Sequence, residues 1–126
     1  MHPISESLWK AYNKLYEEGQ VKFPLHQKQK ESLDGIVKTV CSEYFGHVPY
    51  LDAEIKAAAF MCYIIKDHPV TDGNKRLSVL WVQAWCDVHS LKINDVVSLD
   101  ELAVGIEQSP IKMGGLIAIV KSILFR

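Results

Sequence analysis

The chain predicts an all-α fold. Apolar residues recur at three- and four-residue spacing in successive segments along most of its length. Gly, Pro and short polar clusters separate those segments, with no long intervening loops. Extended structure is confined at most to Val21–Leu25 and Lys92–Val97.

Taken in order, Ser5 or Ser7 can cap a first helix carrying Leu8, Trp9, Tyr12, Leu15 and Tyr16, which Gly19 ends. Val21 to Gln29, with Pro24 and mixed polarity, reads as loop or a short extended segment. From Glu31 to about Phe45, Leu33, Ile36, Val37, Val40, Cys41 and Tyr44 restore helical spacing, Gly46 stops the helix, and Pro49 lies in the link that follows. Asp52 to Lys66 places Ile55, Ala58, Ala59, Cys62 and Ile65 on one stripe, and Ala57-Ala58-Ala59 permits close approach of a neighbouring helix. Pro69 cannot continue that helix and pushes His68 out of the right-handed helical region. Asn74 to about His89 is apolar nearly all round, the pattern of a central helix packed on several sides. Ser98 with Glu101 forms a capping box before Leu99, Leu102, Val104 and Ile106. Pro110 breaks the chain, and Met113 to Phe125 makes a last apolar helix, weakened at Gly114-Gly115.

The 126 residues are expected to form one domain, 1–126, with one core. Fourteen basic side chains against 15 acidic ones give a net charge of −1, which argues against a dedicated nucleic-acid binder. Lys22, Lys28 and Lys30 are read as a solvated face. Cys41, Cys62 and Cys86 show no metal-ligand spacing, and Cys62 and Cys86 fall inside apolar helical patterns, as buried free thiols in a reducing cytosol would. No signal peptide is visible at Met1-His2-Pro3-Ile4-Ser5, and Leu77–Val88 is too short to cross a bilayer. A cytoplasmic location with no membrane partner is the expectation.

Chemistry concentrates in Asp67-His68-Pro69-Val70-Thr71-Asp72-Gly73-Asn74-Lys75-Arg76, a loop between two apolar helical segments. Gly73 gives the turn backbone freedom, and the N–H groups of about Gly73 to Arg76 open the following helix as an anion site. Lys75 and Arg76 add positive charge, with Arg76 able to grip phosphate bidentately. Asp72 can hold a divalent ion bridging phosphate oxygens, and His68 can take a proton from an attacking hydroxyl. Taken singly these residues are ordinary: Asp-Gly turns chains, and Asn caps helices. The carboxylate spacing does not fit a calcium loop.

Their order is more specific. His68 to Arg76 closely resembles the Fic/Doc signature His-x-Phe-x-(Asp/Glu)-Gly-Asn-(Gly/Lys)-Arg, departing only at the aromatic, where Val70 stands. The chain also resembles the family in context from about Leu33 onward, and its length is similar to that of the minimal death-on-curing (Doc) toxin branch. The resemblance implies a Fic-type helical bundle with a buried central helix after the loop. It implies His68 as general base, Asp72 as the Mg2+ ligand, Gly73, Asn74 and Lys75 as the anion hole, and Arg76 on nucleotide phosphate. It further implies ATP as co-substrate and a protein hydroxyl as acceptor, with a translation elongation factor as the target. An extended flap before the core helices aligns the target in this family, and Val21 to about Gln29 is the candidate segment.

Two departures from the adenylylating pattern point to the Doc branch. Lys75 stands where adenylylating members have glycine, and Val79 stands where their motif has a second arginine. The expectation is therefore transfer of the γ-phosphate of ATP; AMP transfer is the alternative, and a catalytically inactive nucleotide- or protein-binding domain is a third reading. Val70 buries about 1 kcal/mol less than phenylalanine would, which predicts a looser loop. The family's inhibitory pattern, Ser/Thr-x-x-x-Glu-(Gly/Asn), fails at Lys14 before Glu18-Gly19. A separate antitoxin chain is the expected restraint.

Overall fold

The apolar stripes become six helices among the residues described, 1–41, 50 and 52–126 of a computed structural model. They are α1 (Ser5–Glu17), α2 (Gln27–Cys41), α3 (Ala53–Asp67), α4 (Asn74–Val88), α5 (Leu99–Gln108) and α6 (Met113–Leu124). No strand occurs among the described residues, so neither candidate extended region is one. None of these helices is long and apolar enough to cross a membrane.

Helix α3 is the packing hub. It lies most extensively against α4 and α6 and also touches α2 and α5. Ala57, Ala58 and Ala59 are fully buried, as expected of small side chains where helices approach closely. Asp52 caps the helix by accepting from the Ile55 N–H at 2.8 Å. Helix α4 packs against α3, α5 and α1, burying Leu77, Trp81, Val82, Trp85 and Cys86. Phe60 of α3 meets Trp81 edge-on at 5.6 Å and Trp85 at 5.1 Å, geometries that suit aromatic quadrupoles. The Trp85 indole N–H donates to the Ala53 carbonyl at 2.9 Å, tying the two helices at a second level. Cys62 and Cys86 are buried free thiols and Cys41 is half-buried; burial pushes the Cys62 thiol up to about 12.

The ends of the helices show where the sequence reading fails. Neither Ser5 nor Ser7 caps α1: the cap position is Ile4, with no side-chain hydrogen bond. The Ser5 hydroxyl donates instead to Asp34 Oδ1 of α2 at 2.5 Å, beside the His2 N–H at 2.9 Å. Partial burial opposes the Asp34 charge, but these two donors and the Lys38 ammonium outweigh it and lower its pKa to about 2. At the other end of α1, Gly19 adopts φ 74°. Gln20 N–H then reaches the Leu15 carbonyl at 2.9 Å and Gly19 N–H the Tyr16 carbonyl at 3.1 Å, a Schellman closure.

Helix α2 starts at Gln27, one turn before the expected Glu31. Gln29, in its first turn, bends back to accept from the His26 N–H at 3.3 Å, half of a capping box without the usual cap residue. The expected end near Phe45, the Gly46 stop and the Pro49 link lie outside the described residues. Ser98 caps α5 as anticipated, accepting from Glu101 N–H at 3.3 Å. Lys66, in the last turn of α3, donates to the carbonyls of Glu107 at 3.2 Å and Ser109 at 2.7 Å. This pins the C-terminal end of α5, rich in unpaired carbonyls, beside the end of α3.

Candidate active site

The loop from α3 to α4 begins with an unusual backbone. His68 ends α3 at φ 55°, ψ 54°, in the left-handed region. Pro69 does keep it out of the right-handed helix, as expected, but the residue turns left-handed instead of extending. Two residues on, Val70 is 2 % exposed. Asn74, the first residue of α4 and itself 5 % exposed, clamps it from both sides. Its Oδ1 accepts from Val70 N–H at 3.1 Å, and its Nδ2 donates to the Val70 carbonyl at 2.8 Å. The predicted slackness from the missing aromatic is thus met by burial of the smaller side chain and a bidentate backbone clamp. The same Nδ2 lies 3.1 Å from His68 Nδ1. One buried amide therefore sets the base candidate and the floor of the loop together.

Gly73 is the N-cap of α4 at φ 83°, ψ 23°, with no side-chain cap. A Cβ there would collide with the Val21 side chain, so glycine is required by conformation and by space. The first backbone N–H groups of α4 have no acceptor within the helix and sum with its dipole to attract an anion. They open on a cleft of about 350 Å³ lined by residues 71–76 together with His68 and Glu107. The structure thus brings all six predicted site residues, His68, Asp72, Gly73, Asn74, Lys75 and Arg76, to one cleft. The Asn74 side chain is spent beneath the loop, which leaves its backbone N–H as its means of meeting an anion.

The charged residues of the rim have partners of their own. Lys75 Nζ lies 2.9 Å from Glu107 Oε2, with both side chains about two-fifths exposed at 42 % and 41 %. The Arg76 guanidinium donates to the Gln20 carbonyl, and Asp72 Oδ2 accepts from Lys22 N–H at 3.2 Å. Thr71 Oγ1 accepts from Gln29 Nε2 at 2.8 Å. The candidate flap is therefore hydrogen-bonded to the loop at two points, Lys22 to Asp72 and Gln29 to Thr71. It cannot be extended throughout, because its last residues, Gln27 to Gln29, are the first turn of α2. Buried Tyr12 anchors its middle by donating to the Phe23 carbonyl at 2.6 Å; burial first, then the Asp72 charge, raise the Tyr12 phenol.

Among the described residues no group of three or more His, Cys, Asp or Glu side chains could cage a metal. A single loop carboxylate beside an anion-binding helix end nevertheless fits Mg2+, which keeps several waters and takes one or two carboxylates plus substrate phosphates. Sequence reasoning missed Glu107. It stands 31 positions beyond Arg76 and reaches the cleft because α5 packs against α3 and α4, with Lys66 bonded to its end. No local pattern announces it.

The Fic/DOC family model matches residues 5–86, from the start of α1 through the loop and most of α4. The chain belongs to the Fic/DOC family. No curated protein and no solved structure matches it. The matched span contains every residue of the His68–Arg76 loop and ends before α5, which supplies Glu107.

Proposed function

We propose that this chain is a Doc-like protein kinase, moving the γ-phosphate of ATP to a Ser or Thr hydroxyl of a target protein. The observation that carries the reading is the convergence of the α4 N-terminus, Lys75, Asp72 and His68 on one cleft. The α4 N–H groups and Lys75 hold phosphate oxygens, and the Arg76 guanidinium turns to phosphate in place of the Gln20 carbonyl. Asp72 is the residue that would hold Mg2+, whose positive charge offsets the charge gathering on the transferred group. The acceptor oxygen bonds to the γ-phosphorus as the bond to the β–γ bridging oxygen breaks; ADP leaves, and the hydroxyl proton passes to His68.

Lys75 and Val79 favour γ-phosphate transfer over AMP transfer. Lys75 fills room at the helix mouth that a smaller residue would leave to phosphates, and Val79 offers no second cation. By family resemblance the target is a translation elongation factor, and a separate antitoxin chain restrains the activity. Incubation with target extract and ATP labelled at the γ or the α position distinguishes the two transfers. Label reaching protein from the γ position is expected. Label arriving only from the α position would overturn the kinase reading in favour of an adenylyltransferase.

A binding-only domain is the second reading, favoured by one observation: Asp72, Lys75 and Arg76 all have partners within the chain. It predicts ATP binding with no label transferred from either position.

A further inference from the structure

We infer that Asn74 is a positioning residue that sets the tautomer of His68, so that the neutral ring rests with its hydrogen on Nε2 and becomes a base there only after the Asn74 contact is given up. The orientation of the Asn74 amide is not arbitrary. Its Oδ1 takes the Val70 N–H at 3.1 Å and its Nδ2 gives a hydrogen to the Val70 carbonyl at 2.8 Å. Exchanging the two atoms would set N–H against N–H and oxygen against oxygen in a site where the side chain is 5 % exposed. With that orientation fixed, the second hydrogen on Nδ2 is the one facing His68 Nδ1 at 3.1 Å. A nitrogen that faces an N–H donor must present its lone pair. Neutral imidazole has one nitrogen with a lone pair and one with a hydrogen, so the hydrogen is on Nε2.

The consequence for catalysis is specific. In the resting tautomer Nε2–H is a donor and cannot take a hydroxyl proton. The base form needs its hydrogen on Nδ1, which would oppose the Asn74 N–H. Interconversion releases one proton from Nε2 to water and takes one at Nδ1, leaving the charge unchanged. It costs the His68–Asn74 hydrogen bond, so turning the ring out of that contact is a step in making the site competent. His68 is exposed, and the clamped Val70 two residues on fixes the backbone from which the ring would turn.

The catalytic meaning rests on His68 as the proposed base, but the tautomer does not, and it is read without nucleotide or target. The experiment is 15N NMR of the histidine ring in the full chain at a pH where the ring is neutral. The expected result is a lone-pair resonance at His68 Nδ1 and a hydrogen-bearing resonance at Nε2. In Asn74→Asp the oxygen that replaces Nδ2 can only accept, so it opposes the Val70 carbonyl and, in a variant that folds, takes its hydrogen from the ring; the assignment should then reverse, with hydrogen on Nδ1. Hydrogen on Nδ1 in the wild type, or a folded Asn74→Asp with an unchanged tautomer, would overturn the inference. Should the variant not fold, the wild type decides through a 15N–15N coupling across the hydrogen bond between Asn74 Nδ2 and His68 Nδ1: its presence supports the assignment and its absence overturns it. Absence of phosphate transfer with this tautomer in place would count against the kinase reading alone.

Discussion

The underside of the His68–Arg76 loop and its rim are built on opposite principles. Beneath the loop, Asn74 and Val70 are buried at 5 % and 2 % exposure, and the Asn74 amide meets only protein partners. On the rim, Asp72, Lys75 and Arg76 borrow a backbone N–H, a carboxylate and a carbonyl from other segments. Buried hydrogen bonds are costly to lose, because the partner left behind cannot turn to water. The half-exposed Lys75–Glu107 pair contributes little, and the other two rim contacts are single bonds from a charged side chain to a backbone group. The difference teaches that the floor is fixed before any ligand arrives, whereas the rim is held in contacts that phosphate or a cation can replace. Preorganisation of that kind is what electrostatic catalysis requires.

Substitutions sharpen the contrast. Asn74→Ala strips both polar groups of Val70 of their partner in a buried site, and is expected to cost about 3 kcal/mol in chemical denaturation. Gly73→Ala forces a side chain into left-handed backbone and against Val21, at an expected cost of about 2 kcal/mol by the same measurement. At the rim the sign of interest changes from stability to binding. Glu107→Gln should alter stability by less than about 1 kcal/mol. By freeing Lys75 and removing a carboxylate from an anion cleft, it should tighten Mg-ATP binding by roughly threefold to tenfold in calorimetry, which is about 1 kcal/mol. A rim substitution as destabilising as Asn74→Ala would erase the distinction between floor and rim.

Much of this arrangement was legible in the sequence, for reasons that separate the successes from the failures. Helices α3, α4 and α6 announce themselves through long apolar patterns, and Ser98 caps the helix that follows it, three residues from the N–H group it accepts. The loop is readable because its residues are consecutive. What escaped depends on partners distant in the chain. Ser5 has the composition of a cap, yet Asp34 takes its hydroxyl. The first turn of α2, Gln27-Lys28-Gln29-Lys30, has no apolar stripe and no conventional cap residue; Gln29 supplies the cap from inside the helix and reaches Thr71 as well. Glu107 enters the cleft through the packing of α5 on α3 and α4. Residue order placed Asn74 in the site, but only the fold turns its amide under the loop and toward His68.

The central claim, that the cleft transfers phosphate with His68 taking the proton, is tested most directly by the rate of γ-phosphate transfer in His68→Ala at saturating Mg-ATP. The account predicts a loss of at least about 100-fold, the scale of a general base, with Mg-ATP affinity retained because the α4 N-terminus, Asp72 and Lys75 are untouched. Transfer by His68→Ala at the wild-type rate would contradict it.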